Sequence, residues 1–293
     1  MNHNCKNDLR RAFAFFASLA VTMTASAQIF SDTAPTVGGV DGWSLRATTP
    51  ATNTTFATTT DAVTAGQALS LAYGTTAPTA TSSATLIGRS FSETTLTEGQ
   101  TLRFQFDFHA TTVATGQILR FGLFNGTGTG GITASGFTNY DNALGYYSFI
   151  RNNSGTANEV REQLSGVPTN GISTPSNFNT LGTKATTYDW GTATAYTVNF
   201  DVTYNSLTSG TVTTSIFDMG TATSRYSMTG NWTSNGKNTF DGAFIRLDAN
   251  ANAAMNFDNL SVSVISAVPE PATYAAWMGL GLLTLAVFRR RQA

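Results

Sequence analysis

The chain has 293 residues, 41% hydrophobic and only 11% charged. That apolar content is enough to build a full core, which excludes a disordered chain, and the Thr, Ser, Ala, Gly and Asn between the apolar runs suit an extracellular β-rich protein. The net charge is −1, but residues 28–267 hold ten basic and fifteen acidic side chains, a net of −5 that excludes an electrostatic footprint for nucleic acid.

The N-terminus has the order of a secretory signal peptide over residues 1–27. Lys6, Arg10 and Arg11 form a charged region, Ala12 to Val21 an apolar one, and Ala25-Ser26-Ala27 supplies small residues at −3 and −1. Cleavage is predicted before Gln28. The single cysteine, Cys5, falls in the removed segment. The mature domain then has no disulfide, thiol nucleophile or zinc–thiolate site.

Residues 28–267 show period-two alternation almost throughout. Leu102, Phe104, Phe106 and Phe108 alternate with Arg103, Gln105, Asp107 and His109. Tyr196, Val198, Phe200, Val202 and Tyr204 alternate with Thr197, Asn199, Asp201 and Thr203. Each predicts a strand with one buried and one wet face. Gln117 to Phe124, Leu144 to Ile150, Thr211 to Phe217, Ala243 to Leu247 and Phe257 to Ile265 are further predicted strands, separated by Gly and Asn clusters such as Asn125-Gly126 and Asn235-Gly236. The Thr/Ala-rich stretch from Ala47 to Thr85 is the one linker-like composition. No helical stripe is sustained. The expected fold is all-β, an antiparallel β-sandwich of the jelly-roll kind.

Candidate chemistry in this segment is sparse. His109 is the only histidine after His3, and no G-x-S-x-G elbow accompanies it. Its phase puts it beside Arg103 and Asp107 as a solvated strand histidine. Glu159 and Glu162 are close in sequence, but the intervening Arg161 points to an exposed charged strand or loop rather than a hydrolytic carboxylate pair. Asp248, Asn250 and Asn252 place oxygen ligands at alternate positions, the start of a calcium loop without its glycine and closing glutamate. Calcium is the only cofactor suggested. Trp190 and Trp232 sit among Gly, Thr and Asn, and are the candidate faces for stacking on a sugar.

At the C-terminus, Pro269-Glu270-Pro271 precedes an apolar run, residues 274–288, and then Arg289, Arg290 and Arg291. As a helix the run would measure ~22 Å, short of the ~30 Å hydrocarbon core. The arginines would reach for headgroups on the cytoplasmic side, with Tyr274 and Trp277 at the opposite interface and Phe288 closing the run, so that the preceding domain lies outside. A single transmembrane helix is therefore expected at this end.

Residues 268–293 resemble the PEP-CTERM sorting signal of Gram-negative bacteria, on the tripeptide, the apolar span and the basic cluster together. The resemblance implies an exosortase as partner, transient anchoring in the inner membrane after export, and delivery to the cell surface or extracellular matrix. From Ser90 to Ile265 the layout is similar to concanavalin-like or LamG-like jelly rolls, on Leu102 to Phe108, Leu119 to Asn125 and Phe257 to Val262. That resemblance implies carbohydrate binding, adhesion or polysaccharide cleavage as the range of functions. The resulting expectation is a non-enzymatic structural or adhesive surface protein. The alternatives are a module binding exopolysaccharide and a divergent polysaccharide hydrolase or lyase.

Overall fold

The computed structural model describes residues 26–33, 35, 42–48, 54–64, 66–73, 84–113, 116–126, 143–152, 157–164, 178–186, 188–248 and 253–266. The strands, in chain order, are β1 (Ser26–Asp32), β2 (Ser44–Thr48), β3 (Thr54–Thr60), β4 (Gln67–Tyr73), β5 (Ala84–Thr95), β6 (Gln100–Thr112), β7 (Ile118–Asn125), β8 (Leu144–Arg151), β9 (Asn158–Gln163), β10 (Phe178–Lys184), β11 (Ala195–Ser206), β12 (Ser209–Asp218), β13 (Ser224–Trp232), β14 (Thr239–Asp248) and β15 (Ala254–Ile265). They belong to a compact unit, Ala27–Ile265. A second unit comprises Met1–Ser26 and Ser266–Ala293, of which only Ser26 and Ser266 are described.

Two sheets result. The first runs β13-β12-β11-β6-β15-β4-β3, with β1 also paired to β15; the second runs β10-β9-β8-β7-β14-β5-β2. Alternation explains why they form. In the antiparallel β6–β11 ladder, Phe104 faces Phe200, Phe106 faces Val198 and Phe108 faces Tyr196 on the buried side. On the other side Arg103 reaches Asp201 with two hydrogen bonds of 2.7 Å, and the hydroxyls of Thr101 and Thr203 are 2.7 Å apart. Such cross-strand pairs are the unit of sheet stabilisation, and they pin this register.

The sheets pack face to face through aromatic rings. Phe121 of β7 meets Phe106 at 5.2 Å and Phe200 at 5.8 Å, both edge-on. Ser148 of β8 and Thr214 of β12 share a buried hydrogen bond across the same layer. Each such fully buried ring contributes about 1.5–3 kcal/mol. At one edge the sheets come together where Lys184 of β10 donates to the Ser227 carbonyl of β13 at 2.6 Å.

The linker-like reading of Ala47 to Thr85 is corrected here. The stretch contains β3 and β4, paired from Thr54–Tyr73 to Thr60–Gln67. Ala68, Leu69 and Leu71 are buried, and these few apolar residues suffice because Thr suits a pleated surface. No helix among the described residues is long and apolar enough to cross a membrane. Residues 274–288 lie outside the described residues, as do residues 1–25.

Candidate functional site

Seven strands give the second sheet two distinct faces. Leu119, Phe121 and Leu123 of β7 point into the core. The opposite face carries a separate apolar cluster of Leu86, Phe124, Tyr147, Phe149 and Phe244. Register lays this outer face out in rows. One row runs Leu86, Arg246, Arg120, Phe149 and Glu159 across β5, β14, β7, β8 and β9. The next runs Phe244, Gly122, Tyr147, Arg161 and Thr180 across β14, β7, β8, β9 and β10. Gly122 is required there, because a Cβ would overlap the Tyr146 carbonyl and the Tyr147 side chain.

Three guanidiniums surround the Phe149 ring. The Cζ atoms of Arg120 and Arg151 lie 4.6 Å from its centroid and that of Arg161 lies 4.5 Å away. Arg161 also stacks on Phe178 at 3.7 Å. The ring face attracts each cation by about 0.5–2 kcal/mol. No two of these Cζ atoms are more than about 9 Å apart, so each pair repels by about 2 kcal/mol at an effective dielectric near 20.

Two carboxylates of the face partly offset this charge. Asp248 Oδ2 forms an ion pair with Arg120 Nη2 at 2.7 Å, and Asp248 Oδ1 accepts from Arg246 Nε at 2.6 Å. Glu159 Oε2 accepts from Arg161 Nε at 2.7 Å and from the Thr180 hydroxyl at 3.1 Å. Burial pulls Arg120 down to about 10, opposed by Asp248 and reinforced by Arg246 and Arg161. Arg151 is also lowered, by burial first and then by Arg161, with Glu159 opposing. Arg151 forms no salt bridge among the described residues, and its Nε is buried without a hydrogen-bond partner. Tyr147 is held above its ordinary value by burial, against the nearby Arg161.

The tryptophans are elsewhere. Trp190 and Trp232 are 1% and 2% exposed, so neither presents a face to a sugar, and that expectation is corrected. Trp232 stacks on Tyr146 at 4.9 Å and donates from Nε1 to the Ser206 carbonyl at 3.3 Å. Its glycine neighbourhood makes room for the ring, since a Cβ on Gly210 or Gly236 would collide with it. Trp190 packs edge-on against Phe108 at 5.9 Å.

His109 is buried rather than solvated. Its Nδ1 is 2.9 Å from Asp61 Oδ2 and its Nε2 is 2.9 Å from the Thr192 carbonyl. Asp61 also accepts from Asn256 Nδ2 and from the amides of Val63 and Thr64, so it caps a turn that closes over the β6 face. Periodicity could not show this, because Asp61 and Asn256 arrive from distant segments. Nearby, Asp107 accepts from Thr197 at 2.5 Å and Asn259 at 2.7 Å, and Asp258 is 2% exposed. Burial pushes Asp258 up.

Glu159 and Glu162 form neither an exposed segment nor a carboxylate pair. Both are on β9, three residues apart, and so point to opposite faces. Glu162 is buried and accepts from Asn179 Nδ2 at 3.3 Å. Asp248 ends β14 with each oxygen ion-paired to an arginine, while Asn250 and Asn252 lie outside the described residues. No group of three His, Cys, Asp or Glu suited to a metal occurs among the described residues. Of the predicted cleavage residues, Ala27 and Gln28 lie exposed at the start of β1, and Ala25 is outside the described residues. Pro269, Glu270, Pro271, Tyr274, Trp277, Phe288, Arg289, Arg290 and Arg291 are likewise outside them.

Residues 267–291 match the model of the PEP-CTERM protein-sorting motif. The chain carries a PEP-CTERM tail. It is thereby marked as an exported, surface-directed protein with a membrane-anchoring tail, sorted by an exosortase. No curated protein matches the chain by sequence. Solved structures similar to this chain include a PL-14 alginate lyase from Aplysia kurodai, 11% identical over 80% of this chain and 98% of that one, TM-score 0.49. An endo-β-1,4-glucuronan lyase from Trichoderma reesei is 14% identical over 82% and 96%, TM-score 0.46. Peanut lectin is 10% identical over 83% and 97%, TM-score 0.43. The sandwich is established by its own strand order and core, independently of these likenesses.

Proposed function

We propose that this is a non-catalytic adhesive protein of a Gram-negative cell surface or matrix, whose sandwich binds glycan through the outer face of the second sheet. Export begins with signal-peptide cleavage before Gln28. The apolar run 274–288 then holds the chain in the inner membrane, with Arg289 to Arg291 cytoplasmic, until the exosortase acts at Pro269-Glu270-Pro271.

One observation carries the binding reading. The half-buried Phe178 ring shares one face with Arg151, Arg161 and Thr180, while Phe149, buried beneath, holds the arginines in place. Sugars are recognised by this combination of an apolar ring face and planar polar groups. Residues on the rigid strands of a sheet hold such an arrangement better than loop residues would.

The test is a polysaccharide pull-down and glycan array with the full chain in mild detergent. Binding to at least one glycan is expected. No binding across a broad panel overturns the adhesive reading, and release of reducing or unsaturated ends overturns the non-catalytic one. For sorting, alanine at Pro269, Glu270 and Pro271 should leave the chain in the membrane fraction. Unchanged delivery to the surface would sink that part.

A further inference from the structure

We infer that the ligand of this face is an acidic polysaccharide, whose carboxylates are gripped by Arg151 and Arg161 beside the Phe149 ring; this rests on the glycan-binding reading above.

The argument starts from charge. Four of the ten basic residues in the stretch 28–267 lie on this one face, Arg120, Arg151, Arg161 and Arg246, against two carboxylates, Asp248 and Glu159, among its described residues. The stretch as a whole is acidic. Gathering cations where they repel one another is costly for folding, and an arriving anion relieves that repulsion. A neutral sugar would not.

The partners are unevenly assigned. Asp248 holds Arg120 and Arg246, and Glu159 holds Arg161. Arg151 is the member without a salt bridge among the described residues, and it keeps a buried Nε unpaired. A guanidinium is a planar fork that matches a carboxylate with two parallel hydrogen bonds. The Arg151 Cζ lies 4.6 Å from the Phe149 centroid, which holds the guanidinium in place before the ligand arrives. Arg151 and Arg161 are partly buried, and Asn179 and Thr180 on β10 are exposed, so the sugar chain approaches from the β8–β10 side. The acidic remainder of the stretch 28–267 repels polyanions at long range. Recognition therefore depends on close contact, which a sugar ring lying against the half-buried Phe178 beside the arginines provides and a nucleic-acid backbone does not.

The experiment compares polyglucuronate, polygalacturonate and polymannuronate, each with its carboxyl-reduced form, against the full chain in mild detergent, with duplex DNA as a non-sugar polyanion. At least one polyuronate should bind, its reduced form about tenfold or more weaker, and added salt should weaken the former alone. Arg151→Gln should bring polyuronate binding to the level of the reduced polymer without moving the melting temperature. Should that variant lose stability, the native-versus-reduced comparison on the unaltered chain still decides. Equal binding of the native and reduced forms, or binding of neutral glycans alone, overturns the inference and leaves the glycan reading standing. Equal binding of DNA overturns it as general polyanion attraction. No binding to any glycan removes both.

Discussion

Arg246 and Arg120 face each other directly across β14 and β7, like charges in register, and the Asp248 carboxylate bridges them at 2.6 and 2.7 Å. Like charges directly opposite destabilise a sheet, so the pair persists through its carboxylate. Removing one partner of a buried charge network typically costs about 3–5 kcal/mol. Asp248→Ala should therefore lower the melting temperature by roughly 10 °C, at about 2–4 °C per kcal/mol for a domain of this size. Replacing Arg246 with Met in the same background should recover part of the loss. Thermal unfolding followed by circular dichroism measures both, and an unchanged melting temperature for Asp248→Ala would refute the bridge.

Gly122 lies between Phe244 and Tyr147 in its row. A Cβ there overlaps backbone of the neighbouring strand rather than a movable side-chain tip. Overpacking of this kind costs about 1–3 kcal/mol or more. Gly122→Ala should destabilise the sandwich by that amount in chemical denaturation, whereas the same change at Gly191, where a Cβ meets nothing, should be close to neutral.

Trp232 is a core residue, and its loss should register as stability rather than as a selective defect in binding. Trp232→Ala is expected to cost about 3–5 kcal/mol. A variant with unaltered stability and abolished glycan binding would contradict its burial against Tyr146.

Asp258 and Asp61 predict opposite responses to acid. Burial raises Asp258, with Asp107 and Asp61 adding to it, so its favourable contribution is full below the ordinary aspartate value and fades as pH rises through its folded value. Asp258→Asn should then raise the melting temperature at pH 7 and give no gain in acid. Burial alone would raise Asp61 too, but hydrogen bonds from Asn256, His109, Val63 and Thr64 outweigh it. Its contribution is present above the ordinary value and lost as pH falls through the folded one. Asp61→Asn should thus cost stability at pH 7 and less at pH 3. Melting curves of both variants across that range give the sign of each.

The strands with clean alternation were legible because one buried face and one wet face leave a period-two trace. β6 and β11 follow the predicted phase residue by residue from Leu102 to Phe106 and from Tyr196 to Val202, and β6 departs from it at Asp107 and His109, whose polar side is covered. β9, with the sequence Asn-Glu-Val-Arg-Glu-Gln, and β13 were not legible. β9 has a single apolar residue, Val160, and in β13 Gly230 interrupts the alternation of Tyr226, Met228 and Trp232; both take their place from the strands that pair with them. The outer face of the second sheet failed for another reason. β7 and β8 were legible as strands, but their outward residues, Arg120, Tyr147 and Phe149, meet their partners only on neighbouring strands.

By itself the sequence determined export, the PEP-CTERM tail and the all-β class, since each is written in residues adjacent along the chain or alternating at a fixed step. Only the tertiary structure decided what the polar and aromatic residues do. Arg120, Phe149, Arg161 and Arg246 come from four strands, and antiparallel register alone sets them side by side. Trp190 and Trp232 looked exposed because glycines surround them in sequence. In space the glycines beside Trp232 are the hollows that receive its ring. Burial and charge pairing depend on which segments meet, and that is decided by packing rather than by local pattern.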